Sequence, residues 1–196
     1  MKSEQTKKHI LEKVSPLFNS RGYFGTSLSE ITIVTGLTKG AIYGNFANKE
    51  DLAVAAFNYN IRSIIGKITI ITNEIESPLA KLLAISNFYR NYYDRYMLNG
   101  GCPVLNVGID SNNNNQKLFI RVREILVKLQ LALANIIEQG KQSEEFVATI
   151  DSKKYGALIF SLIEGAVFTS TIMKDPNYLK DMMNHLDNII LNELKK

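Results

Sequence analysis

The chain has 196 residues, 45% of them apolar, and a formal net charge of +4, which is enough apolar material to bury a sizeable core and too much for a disordered chain. Its one cysteine, Cys102, excludes an internal disulfide framework; no run of 18 or more apolar residues occurs, and the N-terminus MKSEQTKKHILEK is too polar for a signal peptide. A soluble, cytoplasmic protein without a membrane partner is therefore expected.

The spacing predicts a first helix from about Gln5 to Ser20, with Ile10, Leu11, Val14, Leu17 and Phe18 as its apolar stripe. Pro16 removes a backbone donor inside it, and Gly22 ends it. Ser27 and Glu30 have the S-x-x-E spacing of a capping box, so a second helix starts at Leu28 with Ile31 and Val34 on its apolar side. Gly36 supplies the positive φ that closes a helix. Thr38 caps a short third helix from Lys39 to about Asn45, in which Ile42 and Phe46 face inward and Gly40, Ala41, Gly44 and Asn45 face outward. Helix, glycine-containing turn and helix make a helix-turn-helix unit, whose second helix enters the DNA major groove. Charge agrees with this: residues 5–49 carry Lys7, Lys8, Lys13, Arg21, Lys39 and Lys49 against Glu12 and Glu30, and the rest of the chain balances.

Asn48 caps a long fourth helix, with Glu50 and Asp51 in its first turn. Its KITIIT stretch, Lys67 to Thr72, is rich in β-branched residues. It is read as helical because Tyr59, Ile64, Ile68, Ile71 and Ile75 keep a helical period. Pro78 opens a helix running to about Met97, and Asn99-Gly100-Gly101 ends it. A short helix over Pro103 to Asp110 leads to a loop at Asn112 to Asn115. The next helix spans Gln116 to Gln139 on the stripe Leu118, Val122, Ile125, Leu129, Ala132 and Ile136, and Gly140 stops it. The helix over Ser152 to Met173 is apolar on most sides and so is buried on several faces. Asp175-Pro176 precedes a last helix, Asn177 to Leu194.

The run TKGAIYGNFANKEDL closely resembles the recognition helix and start of the fourth helix in TetR-family bacterial transcriptional regulators, and GYFGTSLSEI resembles the lead-in to their second helix. The match covers about the first quarter of the chain. It implies an all-α fold: an N-terminal three-helix DNA-binding domain over residues 1–47 and a larger helical ligand-binding and dimerisation domain over 48–196. Carried over residue by residue, it implies that Thr26 and Ser27 bond phosphate through hydroxyl and backbone amide, and that Lys49 adds a cation at a helix N-terminus. Tyr43 touches the backbone, and Thr38, Lys39, Gly40 and Ala41 occupy the base-facing end, Lys39 able to donate to guanine. Gly44 stands where the family usually has a large residue and Asn45 where His is frequent, so specificity rests more on Lys39, Ala41 and Asn45. For each of these residues the alternative is a solvated helix face.

The resemblance further implies a small-molecule effector in the larger domain that releases a near-palindromic DNA operator. Candidate contacts are Tyr89, Tyr92 and Tyr93, with Tyr96 beside them, then Cys102, Asn106, Glu164 and Phe168; core packing is the alternative for each. Cys102 is a thiol sensor or an inert buried thiol. A homodimer is implied, through Leu158, Leu162, Gly165, Ala166, Leu179, Met183, Leu186 and Ile190 of the last two helices, although this surface also suits closure of the domain itself. No cofactor or metal is expected: His9 and His185 lack ligands at metal spacing, and no nucleophile elbow, phosphate loop or dinucleotide fingerprint occurs. The rivals are a ligand-independent architectural or protein-interaction factor and, more remotely, a helical enzyme.

Overall fold

The computed structural model describes residues 2–96 and 100–196, with backbone only for Lys2, Arg95 and Tyr96. Its helices are α1 (Lys2–Arg21), α2 (Leu28–Thr35), α3 (Lys39–Tyr43), α4 (Lys49–Thr72), α5 (Pro78–Arg90), α6 (Tyr92–Tyr96), α7 (Pro103–Ser111), α8 (Gln116–Gln142), α9 (Ser152–Met173) and α10 (Asn177–Ile189), followed by a π-helical turn, Ile190–Leu194. The described residues contain no strand beyond one isolated antiparallel bridge between Phe146 and Lys195. The β-branched end of α4 is helical, as its period requires.

Two differences have local causes. The helix opened by Pro78 ends at Arg90, and Asn91, at φ −102° and ψ 10°, turns the chain into α6; the expected end at Met97 and Asn99 lies outside the described residues. Helix α8 runs past Gly140, which is buried with its open side against the Phe146 ring. That glycine is a packing residue and not a stop.

The chain forms two compact units, residues 1–64 with 99–124, and residues 65–98 with 125–196. The units do not divide at 47/48, because Leu52, Ala53, Ala56, Phe57 and Ile61 of α4 are buried in the first unit, as are Val104, Val107, Leu118 and Val122. Around them lie Ile10, Val14 and Phe18 of α1, Ile31 of α2 and Ile42 of α3. The His9 ring meets the Thr35 carbonyl at 2.9 Å, and Asn60 Nδ2 donates to the Ser15 carbonyl at 2.9 Å.

In the second unit α10 packs on α5 and α9. Ser86 Oγ donates to the Met183 carbonyl at 3.2 Å, and Arg90 pairs with Asp187. The start of α5 is held by Glu145, whose carboxylate accepts from Ser77 Oγ and from the Leu79 N–H at 3.1 Å. Helix α9 is, by length and composition, apolar enough to cross a membrane, but its Ile159, Phe160, Ile163, Ala166 and Val167 are buried within the unit.

Candidate nucleic-acid interface and ligand cavity

The turn between α2 and α3 is built from short-range bonds. Ser27 Oγ accepts the Glu30 N–H and the Glu30 carboxylate accepts the Ser27 N–H, closing the capping box. These bonds, the Ser27 backbone first, hold the Glu30 carboxyl below the usual carboxylate range, with the Arg21 guanidinium adding to the shift. Gly36 adopts φ 67° and donates its N–H to the Thr32 carbonyl. Thr38 Oγ1 then caps α3 by accepting the Ala41 N–H at 3.2 Å. Ile42 and Phe46 are buried and Lys7 Nζ stands 5.3 Å over the Phe46 ring, so the opposite side of α3 faces outward. Val34, unlike Ile31, is partly exposed, and Thr35 takes the buried place.

Thr38, Lys39 and Gly40 are exposed, and Ala41 and Tyr43 are half-buried. A side chain at Gly40 would meet nothing within 4 Å. Asn45 is more committed: Nδ2 donates to the Ala41 carbonyl at 2.9 Å, and Oδ1 accepts from Ser3 Oγ at 3.3 Å. Thr26 departs further from the expectation of a phosphate-binding hydroxyl. It is fully buried and donates to the Gly22 carbonyl at 2.7 Å, so it shapes the turn before α2. The Ser27 N–H is likewise engaged, by Glu30.

Asn48 Oδ1 caps α4 through the Asp51 N–H at 2.8 Å. Next to it, Lys49 Nζ stands 4.3 Å over the Tyr23 ring, a cation–π arrangement. Burial pushes the Lys49 ammonium below its ordinary pKa, opposed by the charges of Asp110 and Glu30. Tyr23 lies within the run GYFGTSLSEI but carries no role in the sequence reading, and Ser3 lies outside both motif runs; the Tyr23–Lys49 pair has no local signal, its members being 26 positions apart.

The second unit holds a cavity of about 200 Å³. Its walls are Ile65, Ile68, Thr69 and Thr72 of α4, Ile85 and Tyr89 of α5, Leu129, Ala132, Leu133 and Ile136 of α8, and Phe160 and Ile163 of α9. Among the described residues no charged side chain lines it, and the polar groups are Thr69, Thr72 and Tyr89. Of the expected effector contacts only Tyr89 is there. Tyr92 is buried behind it, ring centroids 5.4 Å apart, and Tyr93 is half-buried. Cys102 and Asn106 belong to the first unit, where Asn106 Nδ2 donates to the Asn19 carbonyl at 3.1 Å. Glu164 and Phe168 lie outside the wall, Phe168 being 47% exposed. The rest of the wall was in the sequence: Leu129, Ala132 and Ile136 are the second half of the α8 apolar stripe.

The expected dimer residues separate in the same way. Ala166, Leu179, Met183, Leu186 and Ile190 are buried within the chain's own unit, because α10 turns its apolar stripe onto α5 and α9. Leu158 and Gly165 are exposed and Leu162 is half-buried, on a side of α9 that continues with Phe168 and with Ile172 at 63% exposure. Among the described residues no group of His, Cys, Asp or Glu is arranged to hold a metal.

Residues 10–56 match the family model described as bacterial regulatory proteins, tetR family. Residues 78–186 match the one described as tetracyclin repressor-like, C-terminal domain. A TetR-family transcriptional regulator from Cytophaga hutchinsonii superposes with a TM-score of 0.91 at 33% identity, covering 100% of this chain and 97% of that one. Another, from Chloroflexus aurantiacus, superposes with a TM-score of 0.93 at 30% identity, covering 99% and 98%. The fatty acid metabolism regulator protein of Bacillus subtilis is 26% identical over 170 residues, 86% of this chain and 84% of its own length.

Proposed function

The chain belongs to the TetR family of bacterial DNA-binding transcriptional regulators, which are not enzymes, and from that premise we propose a cytoplasmic repressor that grips a near-palindromic operator as a homodimer and is released by an uncharged, largely apolar small molecule. The reading is carried by the outward side of α3, where Thr38, Lys39 and Gly40 stand exposed on a helix backed by buried Ile42 and Phe46. A short helix with a small exposed side can approach base edges closely. Lys39 is the base-reading donor, Ala41 sets the closeness of approach, and Tyr43, the Ser27 hydroxyl and Lys49 contribute phosphate contacts, which position the helix without reading sequence. Thr26 acts from behind by shaping the turn, and Asn45 by bracing α3.

The homodimer is formed by the exposed side of α9, where Leu158, Leu162, Gly165, Phe168 and Ile172 recur at helical spacing. Two readers related by a two-fold axis engage half-sites about 34–36 Å apart, or a multiple of that. The effector occupies the cavity between α4, α5, α8 and α9. Its lining offers three hydroxyls and no counter-charge, so an anionic group would be buried unpaired. The relative from Bacillus subtilis is named for fatty acid metabolism, and an acyl-like chain suits such walls.

The test is to sequence the duplexes that the purified chain retains from a random pool and then to challenge the complex with 1-decanol, biphenyl and decanoate. Near-palindromic enrichment and release by the uncharged probes ahead of decanoate are expected. An unenriched pool overturns the reader, equal release by decanoate overturns the ligand chemistry, and release by none favours the ligand-independent factor.

A further inference from the structure

The end of α1 and the turn after it are gripped by a segment distant in sequence. Asp110, in the last turn of α7, accepts the Tyr23 backbone N–H through Oδ2 at 2.6 Å. Its other oxygen fills the space beside Gly22, which has φ +73° and where an added Cβ would meet Asp110 Oδ1 at 2.6 Å. A few residues away, Asn19 Nδ2 donates to the Gly101 carbonyl at 3.1 Å, and Asn106 Nδ2 donates back to the Asn19 carbonyl at 3.1 Å and also to the Gly100 carbonyl. A Cβ on Gly100 would sit 2.9 Å from Ser20 Cα, so the approach there is close.

These bonds hold the one turn that carries Tyr23, and the Tyr23 ring is the surface under the Lys49 ammonium. Asp110 is the acceptor of the Tyr23 N–H, and the ring is laterally supported by Phe18 and Phe24. A charge-assisted hydrogen bond to a main-chain amide sets the height and direction of the residue that bears it. We propose that Asp110 is a positioning residue for DNA binding: its carboxylate fixes the α1–α2 turn so that Tyr23 holds Lys49 at the phosphate-facing start of α4. Asp110 does not touch DNA. It acts through Tyr23 on a cation whose partner is the backbone. The inference rests on the assignment of Lys49 as a phosphate contact.

The experiment compares the full chain with Asp110→Ala and Asp110→Asn on a duplex that the wild-type chain selects from a random pool, across a range of salt concentrations. Asparagine keeps an acceptor oxygen for the Tyr23 N–H and drops the charge. Asp110→Ala should bind up to about eightfold more weakly per protomer at ~0.1 M salt and lower the slope of log affinity against log salt by up to about 0.9 per protomer, with unchanged helix content, whereas Asp110→Asn should stay within about twofold of wild type. A role confined to stability would move the unfolding midpoint and leave the salt slope alone. Wild-type affinity and slope in Asp110→Ala overturn the proposal, and so does an Asp110→Asn variant as weak as Asp110→Ala. Should Asp110→Ala fail to fold, the amide exchange of Tyr23 in the wild-type chain decides: protection supports the bond and free exchange refutes it. A wild-type chain that selects no duplex refutes the reader itself, a result distinct from any of these.

Discussion

Replacing Gly140 by alanine separates two accounts of α8. If glycine there ended the helix, alanine would extend it and stabilise the chain by about 1 kcal/mol, the propensity difference in a helix interior. In the structure the added Cβ would lie 2.0 Å from Cδ2 and 2.4 Å from Cε2 of the Phe146 ring. Carbon atoms rest at about 3.5–4.0 Å, so the ring has to withdraw by roughly 1.5 Å. It has little freedom to do so: Phe146 is buried, its N–H donates to the Gly140 carbonyl at 3.0 Å, and the next residue, Val147, donates to the Leu194 carbonyl at 2.9 Å. Overpacking of this kind costs about 1–3 kcal/mol. Set against the propensity gain, Gly140→Ala should destabilise by up to about 2 kcal/mol, at about 2–4 °C in Tm per kcal/mol for a chain of this size. Urea denaturation followed by circular dichroism measures it, with Phe146→Val as the companion that makes room and should reduce the penalty of the alanine. A Gly140→Ala midpoint above wild type would refute the reasoning.

Lys49→Ala should weaken specific and random duplexes alike, by about eightfold per protomer at ~0.1 M salt, since one phosphate contact contributes about 0.9 to the salt slope; a loss confined to one base position in a binding-site selection would contradict the role. Leu158→Arg, on the exposed side of α9, should give folded monomers by analytical ultracentrifugation. Leu186→Arg should instead unfold the chain, because Leu186 is buried and the charge would have no partner; a folded monomer from it would return α10 to the interface. The Ser77 hydroxyl, and after it the Leu79 N–H and Ser143, hold the Glu145 carboxyl below the usual carboxylate range against the opposing effect of burial. A depressed pKa stabilises above the unfolded value and the contribution disappears as pH falls through the folded one, so Tm should drop between about pH 6 and pH 3 more in wild type than in Glu145→Gln. Parallel profiles would remove Glu145 from the account.

What was legible in the sequence was short-range. The capping box of Ser27 and Glu30, the positive φ of Gly36 and the caps at Thr38 and Asn48 each close within four residues, so spacing alone specifies them. The helical reading of Lys67 to Thr72 held because period outweighed β propensity. The illegible parts depend on what lies opposite. The apolar stripe of α10 looks the same whether it meets a second subunit or its own α5 and α9. Leu129, Ala132 and Ile136 look like core until α4, α5 and α9 leave a cavity beside them. Asn91 carries no breaker chemistry, and Asp110 meets Tyr23 across 87 positions. Thr26 has the residue type of a phosphate ligand, but its hydroxyl is turned to the Gly22 carbonyl.

Gly40 shows how the operator of such a regulator can change over time. Nothing in the fold requires its missing side chain, since the space around it is open, and an alanine there would favour the helix. A new residue at this position would meet nothing within 4 Å in the chain itself and, in the proposed role of α3, would be felt at the DNA groove. Under the proposed function, mutation there is a route by which a duplicated copy of the gene acquires a different set of targets while keeping the same ligand cavity.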